Sequence, residues 1–374
     1  MALRLEKRAQ HSQLMVTLSP VIAVVLTLLS GLVIFALLGK NPFEALYTFF
    51  VLPLTSVYGL TELGVKATPL VLIGIGLSFG FRANVWNIGA EGQLTIGAIF
   101  GGGLGIAFYD SENALLLPAM MLAGVLGGMA WGAIPAWLKT RFNTNEILTS
   151  LMLTYVAVLL LSYLVHGPWR DPEGYNFPES RMFPDVGTLP ILMEASRLHL
   201  GAVIALLVVV AAWVLLTKAL IGFQLRVIGL APAAARYVGF REKRLIWFCL
   251  LFSGGLAGLA GLFEVAGPIG QLMPTISPGY GFTAIIVAFL GRLHPVGVLF
   301  AGLVMALTYI GGEAAQIEIG LPAAVTGLFQ GVLLFFLLAC DLLTSYRIRF
   351  TEQTAAQPAA GPASQEAPGE AGAS

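Results

Sequence analysis

The polar residues best suited to chemistry lie inside apolar stretches of this sequence rather than in its loops. Trp86, Asn87, Glu91 and Gln93 follow one another closely at the start of such a stretch, where two glycines also loosen the backbone. Amide and carboxylate groups in a membrane must be hydrogen-bonded or face water, because hydrocarbon offers no partners. A broken helix with such groups is typical of a solute path. The alternative is a cytoplasmic re-entry loop in which Glu91 is solvated or caps the next helix.

A second polar stretch, from residue 264 to residue 283, contains Glu264 and Gln271. Pro268, Pro278 and several glycines interrupt its apolar pattern, so a regular helix is not expected there. Non-helical backbone at membrane depth persists only inside protein or beside water. Glu264 and Gln271 are therefore further candidates for the solute path. The alternative is a loop at the outer membrane surface between two helices.

Signatures of enzymatic chemistry are missing from the sequence. No GxxxxGK[ST] phosphate loop occurs, and the four histidines and two cysteines are scattered, without a CxxC pair or a Cys/His cluster. We therefore predict no catalytic residue, no metal site and no cofactor bound by this chain itself.

The composition places these residues in a membrane. Of 374 residues, 57% are apolar and 11% are charged, whereas soluble domains carry roughly a quarter charged residues. The formal net charge is zero, which gives no indication of a nucleic-acid partner. A spanning helix needs about 20 mostly apolar residues. The sequence predicts an all-α, polytopic bundle of about ten spanning helices in the lipid bilayer, broken near the centre, at 18–38, 61–79, 87–109, 115–138, 146–165, 198–216, 244–263, 277–291, 295–311 and 321–340.

The distribution of basic residues predicts the orientation. With both termini in the cytoplasm, fifteen of the twenty Lys and Arg residues fall inside and five outside. Residues 166–197 are then an extracytoplasmic loop. Residues 217–244 form a basic, amphipathic cytoplasmic segment that either lies on the lipid surface or docks a soluble partner. Residues 1–345 are predicted to form one transmembrane domain, followed by a disordered cytoplasmic tail at 346–374.

Several stretches together resemble nucleoside-type permeases of the branched-chain amino acid and ribose group of ATP-binding-cassette importers. The run from Val85 to Gln93, VWNIGAEGQ, resembles the family signature FNIGAEGQ, with Trp86 in place of Phe. The segment KTRFNTNE at 139–146 is similar to an inner loop of the family. Residues 227–239 are similar to its cytoplasmic coupling segment, and GYGF at 279–282 with VAFLGR at 287–292 matches a second-half stretch.

This resemblance implies a multi-pass permease in the inner or plasma membrane of a prokaryote. It implies half of an import pathway for nucleosides, a second, related permease as partner, a cytoplasmic ATPase that binds the ATP, and an extracytoplasmic substrate-binding lipoprotein. A simple sugar such as ribose is the alternative substrate, and a transporter driven by an ion gradient is the alternative mechanism. The implied ATPase-coupling residues are Gly229, Ala233, Ala234, Ala235, Arg236, Tyr237 and Gly239.

The sequence leaves two roles open for Trp86, Asn87 and Gln93, namely binding the solute and joining the parts of a broken helix. A nucleoside presents a flat base and a ribose, so Trp86 is suited to stacking and the amides of Asn87 and Gln93 to hydrogen bonding. The same residues are equally suited to joining the two parts of a broken helix.

Overall fold

The computed structural model describes residues 2–7 and 13–351, and it describes side chains between residues 18 and 340. This part of the chain is mainly α-helical. Its helices are α1 (Gln13–Leu37), α2 (Pro42–Phe50), α3 (Val57–Arg82), α4 (Ala90–Ala107), α5 (Leu116–Phe142), α6 (Glu146–His166), α7 (Gly201–Thr217), α8 (Leu220–Leu230), α9 (Pro232–Tyr237), α10 (Glu242–Glu264), α11 (Tyr280–Leu290), α12 (Pro295–Ile319) and α13 (Ala324–Ser345).

Each of the ten predicted apolar blocks contains one of these helices, but the predicted number of spans is not established. Six helices are long and apolar enough to cross a membrane, and α7 with α8, bent by 67°, makes a possible seventh. The six are α1, α3, α5, α6, α10 and α12. The chain is therefore a multi-pass membrane protein, while ten spans and cytoplasmic termini stay predictions.

Helices α3 and α10 form the centre of the bundle. In the most apolar part of α3, 83% of the residues are buried, compared with 22% in α1 and in α6. Helix α10 packs against α3, α4 and α5, and α12 packs against α3. The outer helices carry large exposed apolar side chains, such as Leu159 and Leu207. Such surfaces are stable in lipid and unfavourable in water.

Small residues allow the central helices to approach closely. A Cβ atom added to Gly258 would collide with the backbone of Gly124 and Gly128 on α5, and one added to Gly261 would collide with Leu94 on α4. This is the packing that the glycine spacing in α10 predicts for membrane helices.

The turn between α5 and α6 is explained by the stretch KTRFNTNE. Asn143 ends α5 in the left-handed conformation, with φ of 52°. The Asn145 side chain then caps α6 by accepting the N–H of Ile147 at 2.9 Å. Lys139 and Glu146 form a salt bridge of 2.6 Å across the turn.

Three features were not predicted from the sequence. Helix α2 and the 3₁₀ turn Leu52–Leu54 lie between α1 and α3. The segment 217–244 contains two short helices, α8 and α9, before α10 begins at Glu242. Strand β1 (Ala2–Lys7) pairs antiparallel with β2 (Tyr346–Thr351), which includes the first six residues of the predicted tail. The rest of that tail lies outside the described residues.

Candidate functional site

The connection between α3 and α4 brings the first polar stretch into the centre of the bundle. Helix α3 ends at Arg82, and the chain continues in non-helical form from Ala83 to Gly89. Asn84 turns it with a left-handed φ of 57°. Gly89 then runs against α6, where an added Cβ would collide with Ser150. The absence of a side chain at Gly89 therefore lets this segment enter the bundle.

Asn87 and Gln93 form one buried amide pair. The Nδ2 of Asn87 donates to Oε1 of Gln93 at 2.7 Å, and the Nε2 of Gln93 donates back to Oδ1 of Asn87 at 3.2 Å. Asn87 also donates to the hydroxyl of Ser253 on α10 at 3.0 Å and accepts the N–H of Gly89 at 3.1 Å. Both amides are at most 2% exposed. These hydrogen bonds connect the non-helical segment from Ala83 to Gly89 with α4 and α10.

Glu91 joins the beginnings of two helices. Its Oε2 accepts the backbone N–H of Gly281 at 2.6 Å, and its carboxylate also accepts a hydrogen bond from the Ser277 hydroxyl. An added Cβ at Gly281 would collide with the backbone of Glu91, so the two helix starts touch. A carboxylate is favourable at a helix N-terminus, where N–H groups are free and the dipole is positive.

Helix α11 is too short to cross a bilayer. Its eleven residues rise about 16 Å at 1.5 Å each, roughly half of the hydrocarbon thickness. The π-helical turn Val265–Ile269 and irregular backbone from Gly270 to Gly279 precede it. Two non-helical entries, one before α4 and one before α11, therefore meet at Glu91. Broken helices of this kind were predicted from both polar stretches.

Trp86 packs against two phenylalanine rings. Its ring centroid is 4.9 Å from that of Phe81 and 5.9 Å from that of Phe289, which stack on each other at 5.2 Å. Its indole N–H donates to Asn84 at 2.9 Å. The Trp86 ring thus packs among phenylalanines, and its N–H bonds Asn84 rather than the amide pair.

Glu264 belongs to a separate group of charges at the end of α10. It is 7% exposed and lies within electrostatic reach of Lys66, Arg197, Glu62 and Glu313. Arg197 holds Glu62 through two hydrogen bonds, of 2.9 and 2.5 Å. This pairing raises the pKa of the Arg197 guanidinium above its ordinary value. Lys66 pairs with Glu313 at 3.3 Å.

Gln271 is placed away from the other candidate residues. Its amide donates to Glu179 of the long 167–200 segment at 2.6 Å. That segment also pairs its backbone with the second polar stretch, from Ser180 to Leu272 at 2.9 Å and from Leu189 to Ala266 at 2.8 Å. Residues 266–272 therefore hold the long loop in place. For residues 266–272, this geometry agrees with the alternative interpretation of the second polar stretch as a loop between two helices.

The residues implied for ATPase coupling all lie in or beside α8 and α9. Gly229 packs on the end of α3, because an added Cβ would collide with the backbone of Arg82. Tyr237 is 94% exposed, whereas Ala235 is 1% exposed and faces the protein. The chain leaves α9 at Gly239, with φ of 86°. Ala233, Ala234 and Arg236 are exposed on the same short helix.

Sequence reasoning did not identify several partners of these residues, namely Ser150, Ser253, Ser277, Tyr280, Gly281, Glu62, Lys66, Arg197 and Glu313. Glu62 and Lys66 carried a usable signal, because charges inside an apolar block are uncommon and usually face the bundle interior. Ser150 and Ser253 carried none, since a serine in a helix can satisfy its hydroxyl within its own helix.

The helical bundle, with six helices long and apolar enough to cross a membrane, defines a polytopic membrane protein as the class. Residues 59–338 match the family model of the permease component of branched-chain amino acid transport systems. The chain belongs to this family. No solved structure matches it.

Named relatives have similar lengths. A glucose ABC transporter permease protein of Haloferax volcanii is 39% identical over 88% of this chain and 89% of its own length. A guanosine ABC transporter permease protein of Bacillus subtilis is 32% identical over 92% of this chain and 96% of its own. A second guanosine permease protein of the same organism is 28% identical over 70% of this chain and 82% of its own.

Proposed function

We propose that this chain is the permease subunit of an ATP-binding-cassette importer in a prokaryotic inner membrane and forms half of a pathway for nucleosides. Membership of the permease family supports the class. The observation that carries the mechanism is the junction at Glu91, where α4 and α11 begin. The Glu91 carboxylate holds the beginnings of α4 and α11 together. Because this contact is small, we propose that α4 and α11 separate there during transport.

The amide pair is better suited to joining helices than to binding solute. Asn87 and Gln93 use most of their hydrogen-bonding groups on each other, on Ser253 and on Gly89. A solute would have to break these bonds. We therefore propose that Asn87, Gln93 and Glu91 are structural joints, and that the solute contacts other groups along the path.

The proposed orientation places both termini, α8 and α9 in the cytoplasm. The excess of basic residues on that side supports it. The pairing of β1 with β2 supports the part of this proposal that puts both segments on the same side of the membrane. In this orientation α9 presents Tyr237 to a cytoplasmic ATPase, which binds the ATP. The 167–200 segment then faces the substrate-binding lipoprotein.

A second, related permease is the proposed partner across the pathway. Two guanosine permease proteins of Bacillus subtilis both match this chain, which supports a pair of related but different subunits. The same comparisons support a second candidate substrate. The glucose permease relative is 39% identical, so a simple sugar, glucose or ribose, is the alternative to a nucleoside.

The test is uptake of radiolabelled guanosine, adenosine, uridine, ribose and glucose by cells with and without the gene. Each measurement is repeated with ATP depleted and the proton gradient preserved. We expect nucleoside uptake that needs both the gene and ATP. Uptake of only glucose or ribose would replace the nucleoside by a sugar. Gene-dependent uptake without ATP would overturn the importer class in favour of an ion-gradient transporter.

A further inference from the structure

Arg82 lies where three parts of the chain meet. It is the last residue of α3, and its Nε donates a hydrogen bond of 2.9 Å to the carbonyl oxygen of Leu293, in the turn between α11 and α12. Gly229 of α8 packs on its backbone, where an added Cβ atom would collide with the Arg82 carbonyl group. The non-helical segment from Ala83 to Gly89 begins directly after it. Arg82 therefore connects α8, the α11–α12 turn and the entry to α4.

The α11–α12 turn has an unusual backbone at this contact. Arg292 and Leu293 both adopt the left-handed conformation, with φ of 55° and 54°, which is unfavourable for residues other than glycine. Such a backbone persists only where the surrounding contacts hold it. Here the Leu293 carbonyl accepts the Arg82 hydrogen bond, and Arg292 donates to the Ser19 hydroxyl of α1 at 2.9 Å. These two hydrogen bonds hold the turn against α3 and α1.

Helix α11 is attached at both of its ends. At its last turn, the ring of Phe289 stacks on Phe81, the neighbour of Arg82, with centroids 5.2 Å apart and an interplanar angle of 16°. At its first turn, the Gly281 N–H is bonded to Glu91. A rigid helix between two such contacts can carry a displacement from one to the other. Helix α11 therefore links the end of α3 with the beginning of α4.

A cavity of about 150 Å³ lies beside the Arg82 contact. Its lining includes Asn84 of the non-helical segment, Lys139 of α5, Ile228 of α8, Pro232 of α9 and Glu242 of α10. The polar side chains make this cavity favourable for water. Densely packed protein resists compression, whereas α8 and α9 can shift towards the non-helical segment by displacing water from the cavity.

We propose that Arg82 is the positioning residue that couples α8 and α9 to α11. Movement of α8 and α9 with the ATPase displaces the end of α3 through the contact at Gly229. The Arg82 side chain passes this displacement through Leu293 to α11, and the hydrogen bond between Glu91 and Gly281 then breaks. The inference rests on the proposed function, because it requires an ATPase that docks on α9.

The experiment compares R82M with R82Q. Both variants remove the positive charge, but the glutamine amide nitrogen stands at the same position along the side chain as the arginine Nε and can donate to Leu293, whereas methionine cannot. R141M, at the exposed end of α5, is the matched control. Each variant is placed in proteoliposomes as the complete importer with its binding protein. The measured quantities are the melting temperature and the guanosine, or the sugar if that is the solute, imported per ATP hydrolysed.

We expect R82M to import at least about fivefold less solute per ATP hydrolysed, at the lower limit of typical coupling factors. ATP hydrolysis should continue, because the ATPase carries its own site. R82Q should lie closer to the wild type than to R82M, and R141M should equal the wild type. An unchanged yield per ATP in R82M would overturn the inference. An equal decrease in R82M and R82Q would show that the charge matters rather than the hydrogen bond to Leu293, and would also overturn it.

Hydrogen–deuterium exchange tests the same route without any solute. The Gly281 N–H is held by Glu91, so its exchange rate reports whether this contact opens. Trapping the ATPase with ATP and vanadate should raise the exchange in the wild type and in R82Q but not in R82M. An equal rise in R82M would overturn the route through Arg82, while import by the wild type would leave the proposed function standing. If the wild type imports neither guanosine nor a sugar with ATP, the proposed function falls, and this inference falls with it.

Discussion

The Glu91 carboxylate accepts the backbone N–H of Gly281 at 2.6 Å, although 190 residues separate them in the sequence. Both residues lie in the first turn of a helix, α4 for Glu91 and α11 for Gly281. One carboxylate thus stabilises two helix N-termini and connects the two polar stretches of the chain. Any movement that separates α4 from α11 must break this bond, so its strength bears on both folding and transport.

Replacement of Glu91 therefore tests the junction. E91A removes the acceptor for Gly281 and Ser277, and we expect a loss of about 2–3 kcal/mol, since hydrogen bonds to charged groups contribute about 1.5–3 kcal/mol. E91Q keeps one oxygen acceptor and should lower the free energy of unfolding by less than E91A does. The measurement is the melting temperature of the purified protein, paired with ATP-dependent uptake. Equal melting temperatures for wild type, E91Q and E91A would contradict this role.

The amide pair provides a second prediction. N87A leaves Gln93, Ser253 and the Gly89 N–H without their buried partner, so we expect destabilisation of about 1–3 kcal/mol. S253A removes only one hydroxyl from the group and should cost less. Thermal unfolding in detergent measures both. A structural joint predicts that guanosine and 2′,3′-dideoxyguanosine uptake fall together in N87A. A selective loss of one solute would instead place Asn87 in contact with it.

The sequence predicted helices better than it predicted contacts. Apolar blocks of about 20 residues follow directly from the thickness of the bilayer, so each block contains a helix. The helix α2 was not predicted, because its short apolar run falls below that length. Charge spacing could indicate that Glu62 faces the interior, but not that Arg197, 135 residues away, would bond to it. Pairings of this kind depend on how the helices pack, which periodicity does not encode.

The Glu62–Arg197 pair is expected to anchor the 167–200 segment to α3. Glu62 is buried, while the Arg197 side chain is 48% exposed, so we expect R197A to cost about 1–2 kcal/mol, between the values for exposed and buried pairs. R197K keeps the positive charge but cannot make both hydrogen bonds to Glu62. Its stability should therefore lie between those of the wild type and R197A. Limited proteolysis from the outside should cut residues 167–200 faster in R197A. Unchanged cleavage rates would show that this segment is held by its backbone contacts alone.

Tyr237 is the most direct probe of coupling. Its side chain is 94% exposed on α9, so Y237A should leave expression and melting temperature unchanged. If α9 docks the ATPase, Y237A should reduce transport per ATP hydrolysed at least about threefold, as expected for a large apolar anchor at an interface. Y47A, at an exposed tyrosine on α2, is the matched control. A bulky side chain at the buried Ala235 would displace α9 and would therefore test folding instead.

The orientation can be tested with cysteines, because both native ones, Cys249 and Cys340, are buried and should give little background labelling. Y175C lies in the 167–200 segment and Y237C in α9, at positions 92% and 94% exposed. In the proposed orientation, which puts fifteen of the twenty basic residues inside, a membrane-impermeant maleimide should label position 175 in right-side-out vesicles. Position 237 should react only after the membrane is permeabilised. The reverse pattern would place the termini outside and would rule out α9 as the ATPase-binding helix.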